Sequence, residues 1–567
     1  MPSPVTLSPT DLQLPSFYRW ERERADKIFL TQPLGGGSGG GVRDITWAQA
    51  GDEARRIATW LTAQGWPAGS NVAILGKNSA HWILADLAIW MAGHVSVPIY
   101  PTFNAQALRY ILDHSESRAC FVGKLDDTDS LGDGVPTGVP LIALPLAPAG
   151  VSKMSWDALI AANAPQKGET VRDGSTMCTI IYTSGTTGNP KGVMQTFNAM
   201  AWSLASATRR VTMSSEDHFL SYLPLAHVAE RMLVEQGALK FGSHIFFAES
   251  LDTFVHDLQR AHPTIFFSVP RLWVKFQQGI FSKTPQKKLN FMLGLPVIGG
   301  LVRRKILKAL GLDHCRLAAG GAAPMPAEML RWYRGLGLDL IEAYGMTENC
   351  GVSHATVPGT SRPGTVGLAY DGVDTRIDAD TGEIQMRSPG VMLGYYKDPV
   401  QTAASFTADG WFRTGDKGRV EPDGCLRITG RVKDLFKSSK GKYVAPAPIE
   451  DLLVNHPDIE ACAVTGANFA QPLALVMLSA DALARSKTPD GKAALTASFA
   501  EHLKTVNAQL EAHEKLDCMA VVASTWSPEN GFVTPTFKVK RNRIEDAYGE
   551  KYEGWLKQRK PVVWVED

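Results

Sequence analysis

The eleven residues Tyr182-Thr183-Ser184-Gly185-Thr186-Thr187-Gly188-Asn189-Pro190-Lys191-Gly192 constrain this chain more than any other stretch. They follow directly on Cys178-Thr179-Ile180-Ile181, an apolar and β-branched run that reads as a strand. A strand ending in a glycine-rich loop belongs in an α/β sheet, where ligands bind at the carboxyl ends of strands. Gly185, Gly188 and Gly192 let the backbone turn tightly and approach a ligand closely. The Ser and Thr hydroxyls and exposed N–H groups supply donors for phosphate oxygens, and Lys191 adds a point charge. The loop therefore reads as a phosphate cradle. It is not a Walker loop, which needs Gly-Lys followed by Ser or Thr, because Lys191 follows Pro190 and precedes Gly192.

A chain of 567 residues is too long for one core and implies two or more domains. Hydrophobic content of 44% and charged content of 20% are those of a soluble globular protein. With 58 basic and 57 acidic side chains, the net charge of +1 gives no electrostatic footprint for nucleic acid. Seven scattered cysteines without metal-ligand spacing fit a reducing cytoplasm. The first residues carry Asp11, Glu21 and Glu23 rather than a basic then apolar stretch, so no signal peptide is expected. The longest apolar segment, 83–100, contains Asp86, His94 and Pro98, and no transmembrane helix is expected.

Along the chain, residues 35–41 read as a hairpin loop between two short strands. Thr46 is an N-cap for a helix whose apolar face is Ala50, Ala54, Ile57, Ala58 and Leu61, with Gly65 as stop. Strands are expected at 72–75, 244–247, 264–269, 315–318 and 339–342, with helices such as 251–261 and 327–336 between them. This alternation predicts largely parallel α/β layers. From about residue 370 short alternating strands predict a β subdomain, and after Arg431 a smaller α+β unit follows. It opens with a helix at Pro448 and has strands at 461–464, 474–478 and 519–522. The fold class is thus α/β: a large N-terminal domain, 1–432, of layered α/β subdomains plus a β subdomain, and a small mobile α+β C-terminal domain, 433–567.

Further motifs fall in a recurring order: Pro224-Leu225-Ala226-His227-Val228-Ala229-Glu230-Arg231, Gly320-Gly321-Ala322-Ala323-Pro324, Tyr344-Gly345-Met346-Thr347-Glu348, Trp411-Phe412-Arg413-Thr414-Gly415-Asp416, Gly430-Arg431-Val432-Lys433-Asp434 and Thr534-Pro535-Thr536-Phe537-Lys538. With the glycine-rich loop they resemble the adenylate-forming superfamily of acyl-CoA synthetases, adenylation domains and luciferases. One departure is Phe197, where that family often has His. The resemblance implies ATP, Mg²⁺ and coenzyme A as cofactors, with a small-molecule carboxylic acid as partner. It implies catalytic roles for Lys538, Thr347, Glu348 and Thr183, with Glu348 as the metal ligand. ATP or AMP is expected to contact Ser184, Gly185, Thr186, Thr187, Gly188 and Lys191 in the loop, Gly321 and Ala322, Tyr344 against adenine, and Asp416 and Arg431 at the ribose. Lys433 matches the family hinge, Gly441 lies in the loop expected on the coenzyme A side, and His227 borders the acyl pocket without acting as a base. Lys540 is a rival to Lys538, and a cluster of three bases there also fits a solvated face.

Fragments such as Val269-Pro270-Arg271-Leu272-Trp273 and Gly441-Lys442-Tyr443-Val444-Ala445-Pro446 resemble the long-chain fatty acyl-CoA synthetase branch. Only 46 residues separate Trp273 from Gly320, fewer than that branch often has, which implies a different or shorter acyl tunnel. An aryl-acid CoA ligase, a fatty acyl-AMP ligase loading a carrier protein and a non-catalytic AMP-binding regulator are the alternatives. Between Lys287-Lys288 and Arg303-Arg304-Lys305 lies an apolar stretch broken by Gly294, Pro296, Gly299 and Gly300, too short to span a bilayer. It is expected to be a buried connection lining the acyl tunnel, with a peripheral membrane contact as the alternative.

Overall fold

The computed structural model describes residues 5–183, 189–323, 325–359, 362–534 and 538–565. It divides into two compact units: the described parts of 5–375 together with 386–412, and 376–385 together with 413–565.

In the first unit, a seven-stranded sheet is built around four parallel pairings, including Asn71–Leu75 with Val95–Ile99 and Val95–Ile99 with Met177–Thr183. Its strands carry Val72, Ile74, Val97 and Ile180 at zero exposure, the near-continuous apolar pattern of a sheet buried on both faces. Helix Ala80–Met91 is buried along its whole length, and Trp82 and Trp90 on it belong to the same core as Trp47 and Phe29, whose rings stack at 3.9 Å. A four-stranded sheet includes His244–Phe247, placed where the sequence expects it, and a five-stranded sheet runs Ile265–Ser268, Leu317–Gly321, Ile341–Tyr344 before two short antiparallel strands.

Local rules account for several elements. Thr46 caps helix Trp47–Ala63 by accepting from the Gln49 N–H, while Gln49 returns a bond to the cap, and Gly65 follows with φ +67°. Strands Ile28–Pro33 and Val42–Thr46 pair antiparallel across the glycine loop. The strands expected at 315–318 and 339–342 each start two residues later; at the first, Cys315 still bonds back to Leu312 and closes the turn after helix Ile298–Leu310. The helix expected from 251 runs Phe254–Ala261; Ser250 and Thr253 bond to each other instead of extending it.

The segment between Lys287 and Lys305 corrects an expectation. It is not a wholly buried connection but two helices, Gln286–Gly294 and Ile298–Leu310, that bury one side and leave the other in solvent. The bases on that outer side explain the placement, since burying unpaired charges is costly. Among the described residues, no helix is long and apolar enough to cross a membrane.

The second unit holds the antiparallel pair Phe412–Val420 and Leu426–Arg431, and a mixed sheet of Ile459–Thr465, Leu473–Leu478, Met519–Val522 and Val562–Trp564. Its first helix is Pro446–Leu453, starting two residues before the expected Pro448, with Pro446 itself at the first turn.

Candidate active site

In the first unit the glycine-rich loop joins Met177–Thr183 to Lys191–Thr196, an antiparallel hairpin closed by the Thr183 and Lys191 pair. Ser184, Gly185, Thr186, Thr187 and Gly188 lie outside the described residues. Thr183 and Lys191 therefore fix where the loop leaves and rejoins the sheet, at the carboxyl end of a strand that runs parallel to its neighbour.

From Lys191 a chain of contacts leads to the next motif. The Lys191 ammonium lies 5.4 Å from the centre of the Tyr395 ring, a cation–π distance. Tyr395, on the short strand Gly394–Tyr395 paired with Lys191–Thr196, donates its hydroxyl to Glu348 Oε1 at 2.8 Å. Burial first, and the facing Glu348 carboxylate second, push the Tyr395 phenol above its ordinary pKa, so it stays a donor. The Glu348 carbonyl accepts from the Met392 N–H at 2.7 Å, and buried Gln195 donates to the Thr347 carbonyl at 2.8 Å. Asn349 accepts from the Met346 N–H at 2.9 Å and closes the turn. Thr347 and Glu348 are thus held from three sides, and the structure brings them to Lys191.

Tyr344 ends strand Ile341–Tyr344, 9% exposed, its ring 6.3 Å from that of His354. Gly321 ends the neighbouring strand, paired with Ala343, and a Cβ there would meet the Ala343 carbonyl at 2.5 Å. The glycine is required by the adjacent strand, before any ligand is considered. Ala322 follows, exposed, with φ +67°, a left-handed conformation uncommon outside glycine.

His227 caps the short helix Val228–Glu230, its Nδ1 accepting from the Ala229 N–H at 3.2 Å. That nitrogen is engaged in a bond that holds the start of the helix. Beside it the sequence left a larger feature unread. Glu230 is buried, and its Oε1 accepts from Ser221 Oγ, the Tyr222 N–H and Asn78 Nδ2; burial raises its pKa to about 8. Arg231, fully buried, pairs with Asp86 and with Glu235 and donates to Thr179 Oγ1 at 2.6 Å. The signal for this network was present: an aspartate in the middle of the largely apolar helix Ala80–Met91 needs a buried cation.

In the second unit, Asp416 and Arg431 face each other across the strand pair, with Arg431 Nε on Asp416 Oδ1 at 3.0 Å. The guanidinium fixes the carboxylate, whose side chain is 13% exposed. Lys433 is exposed in the turn after Leu426–Arg431. Its neighbour Asp434 is bound by Arg541, which also pairs with Glu450, and these anions raise the Arg541 pKa against the opposing effect of burial. Arg541 is therefore an anchor and not part of a solvated face, a correction to the reading of the three bases as one group. Lys538 is exposed, its N–H bonded to Thr534 Oγ1 at 3.1 Å and its carbonyl to the Thr534 N–H at 2.8 Å. Pro535, Thr536 and Phe537 lie outside the described residues. Gly441, with φ +76°, turns the hairpin between Phe436–Lys437 and Tyr443–Val444.

A family model described as "AMP-binding enzyme" matches residues 17–396, more than half of the chain. The chain belongs to the AMP-binding enzyme family. The model for the C-terminal domain of AMP-binding enzymes matches 433–559. This AMP-binding enzyme is similar to the long-chain-fatty-acid–CoA ligase FadD15 of Mycobacterium bovis, at 30% identity over 98% of both chains. It is also similar to the peroxisomal long chain acyl-CoA synthetase 6 of Arabidopsis thaliana, at 30% identity over 92% of this chain and 83% of the relative. Among solved structures, the A domain of carboxylic acid reductase from Segniliparus rugosus, in complex with AMP and a co-purified carboxylic acid, gives a TM-score of 0.77 at 21% identity, covering 96% of this chain and 94% of that one. That likeness carries the fold.

Proposed function

We propose that this AMP-binding enzyme is an ATP-dependent acyl-CoA synthetase acting on medium- or long-chain fatty acids. The observation that carries the reading is the fixed polar set of Lys191, Tyr395, Glu348 and Thr347 at a strand's carboxyl end, in a chain that matches a long-chain-fatty-acid–CoA ligase over 98% of its length. In the first half-reaction the carboxylate oxygen attacks the α-phosphorus of ATP and pyrophosphate leaves, giving acyl-AMP. Thr183, Ser184, Gly185, Thr186, Thr187, Gly188 and Lys191 hold the phosphates, Thr347 bonds an α-phosphate oxygen, and Lys538 neutralises the charge that develops there. Adenine lies on Tyr344 beside Gly321 and Ala322, and Asp416, oriented by Arg431, accepts from the ribose hydroxyls.

Glu348 suits Mg²⁺. One carboxylate oxygen takes the Tyr395 bond, the side chain is only half-buried, and a hard oxygen donor next to phosphate matches the ion's preference. When bound, Mg²⁺ supplies charge compensation on the phosphate oxygens. In the second half-reaction the coenzyme A thiol loses its proton, its sulfur attacks the acyl carbonyl, and AMP leaves. Lys433 is the pivot between the two half-reactions, and the loop carrying Gly441 serves the second. Seven free cysteines, five of them buried, support a reducing, cytoplasmic setting. His227 borders the acyl pocket.

A panel of aliphatic and aryl acids, scored by pyrophosphate release and by acyl-CoA formed, tests the reading. Medium- and long-chain acids should give the highest kcat/KM, with acyl-CoA matching pyrophosphate. Preference for benzoate-type acids would make it an aryl-acid ligase. Pyrophosphate without thioester would indicate transfer to a carrier protein, and no pyrophosphate with any acid would leave an AMP-binding regulator.

A further inference from the structure

Between Asp257 and Asp313 the chain carries ten Lys and Arg residues and no acid, although the whole chain is near neutral at +1. The structure concentrates the far end of this segment in the helical hairpin Gln286–Gly294 and Ile298–Leu310. Its inner side is anchored: Leu289 and Leu310 are buried in a core with Trp273 and Tyr333, and Leu293, Val302 and Ile306 pack against it. The two helices touch closely, since a Cβ at Gly299 would meet the Leu293 carbonyl at 2.4 Å. The outer side is different. Phe291 is 69% exposed, Val297 at the apex 82% and Leu301 62%. Lys287, Lys288, Arg303, Arg304, Lys305 and Lys308 are exposed on the same two helices, and none takes an ion pair among the described residues.

Large apolar side chains in water are unfavourable unless something covers them, and a cluster rimmed by bases marks an interaction surface. The charge decides what covers it. A second copy of the same face would bring two sets of unpaired bases together. Nucleic acid would satisfy the bases but offers nothing to Phe291, Val297 and Leu301 as a group. A lipid surface with anionic headgroups satisfies both: acyl boundary for the apolar apex, phosphate and carboxylate for the rim. We propose that this hairpin docks the protein on an anionic lipid surface, lying in the interface with Phe291, Val297 and Leu301 inserted and the six bases on the headgroups. The inference does not depend on the proposed reaction.

Co-sedimentation of the full chain with vesicles tests it, using equal parts phosphatidylglycerol and phosphatidylcholine against phosphatidylcholine alone. Each base at an anionic surface strengthens binding about fivefold, so R303Q/R304Q/K305Q should weaken it on the order of a hundredfold. F291S/V297S/L301S should weaken it at least about tenfold, by loss of buried apolar area. Unchanged melting temperatures and unchanged pyrophosphate release without vesicles would show that both variants remain folded. High salt should reduce parent binding. No parent binding, equal binding to neutral vesicles, or variants that bind like the parent would overturn the proposal. So would a dimer, seen by size exclusion, that these variants split, because a second copy would then be the occupant.

Discussion

The turn that carries Thr347 and Glu348 and the segment that carries Lys538 differ in their exposure and in what surrounds them. In the first, Gln195, Tyr395 and the Met392 N–H fix both residues through side chains and backbone, with Thr347 buried and Glu348 half-buried. In the second, the Lys538 N–H and carbonyl both bond Thr534, and the residue stands exposed. Charge stabilisation is most effective from groups that need no rearrangement as the reaction proceeds, which suits Thr347 and Glu348. A lysine needed in only one of two half-reactions is better placed on a segment that can leave. Arg541 sharpens the contrast: three residues beyond Lys538, it ties its own stretch to Asp434 and Glu450, giving Lys538 a firm base next to the proposed Lys433 pivot.

The comparison can be broken from the first side. Glu348→Gln keeps the shape of the turn and the Tyr395 partner but removes the charge, and should lower the adenylation rate by about 10²–10³-fold. Pyrophosphate exchange measures it; a rate near the parent's would remove Glu348 from the reaction. Tyr395→Phe deletes a single hydrogen bond to that carboxylate, worth about 1.5 kcal/mol, and should cost roughly tenfold in the same assay. If it costs nothing, the turn is not held by Tyr395.

The smallest effect concerns stability. Unfolded Glu230 loses its proton near 4.5, whereas burial keeps the folded one protonated up to about 8. The unfolded state therefore binds fewer protons across that window, and the site's contribution is full below about 4.5 and declines as pH rises toward 8. The slope is at most about 1.4 kcal/mol per pH unit. Glu230→Gln keeps the Oε1 acceptor without the titration, so its melting temperature should fall less than the parent's as pH rises toward 8. Parallel curves would mean that Glu230 is ionised in the fold.

Much of this was readable in the chain. Strand His244–Phe247, helix Ala327–Leu336 and the Thr46 cap follow from apolar periodicity and a capping pair, which are local signals. Strand edges at Leu317 and Ile341 were misplaced by two residues because sheet pairing, not propensity, sets where a strand begins. The motifs pointed to Thr347, Glu348, Asp416 and Lys538 as candidates for the roles proposed above. They did not locate Gln195 or Tyr395, which matter through contacts made 152 and 47 residues away in sequence. The outward face of the Gln286–Leu310 hairpin was legible only as the alternative reading, because a broken apolar run reads the same whether it lines a core or a surface.

The contrast between a half-buried turn and an exposed lysine is tested most directly by Lys538→Ala assayed in the two half-reactions separately. Acyl-AMP formation, followed by pyrophosphate release, should fall by several kcal/mol of lost charge stabilisation, at least about 10³-fold. Thioester formation from supplied acyl-AMP and coenzyme A should stay within about twofold of the parent, since Lys538 would be absent from that step. Equal loss in both half-reactions would contradict the account, placing Lys538 in a common scaffold and leaving the division of labour between the two regions without support.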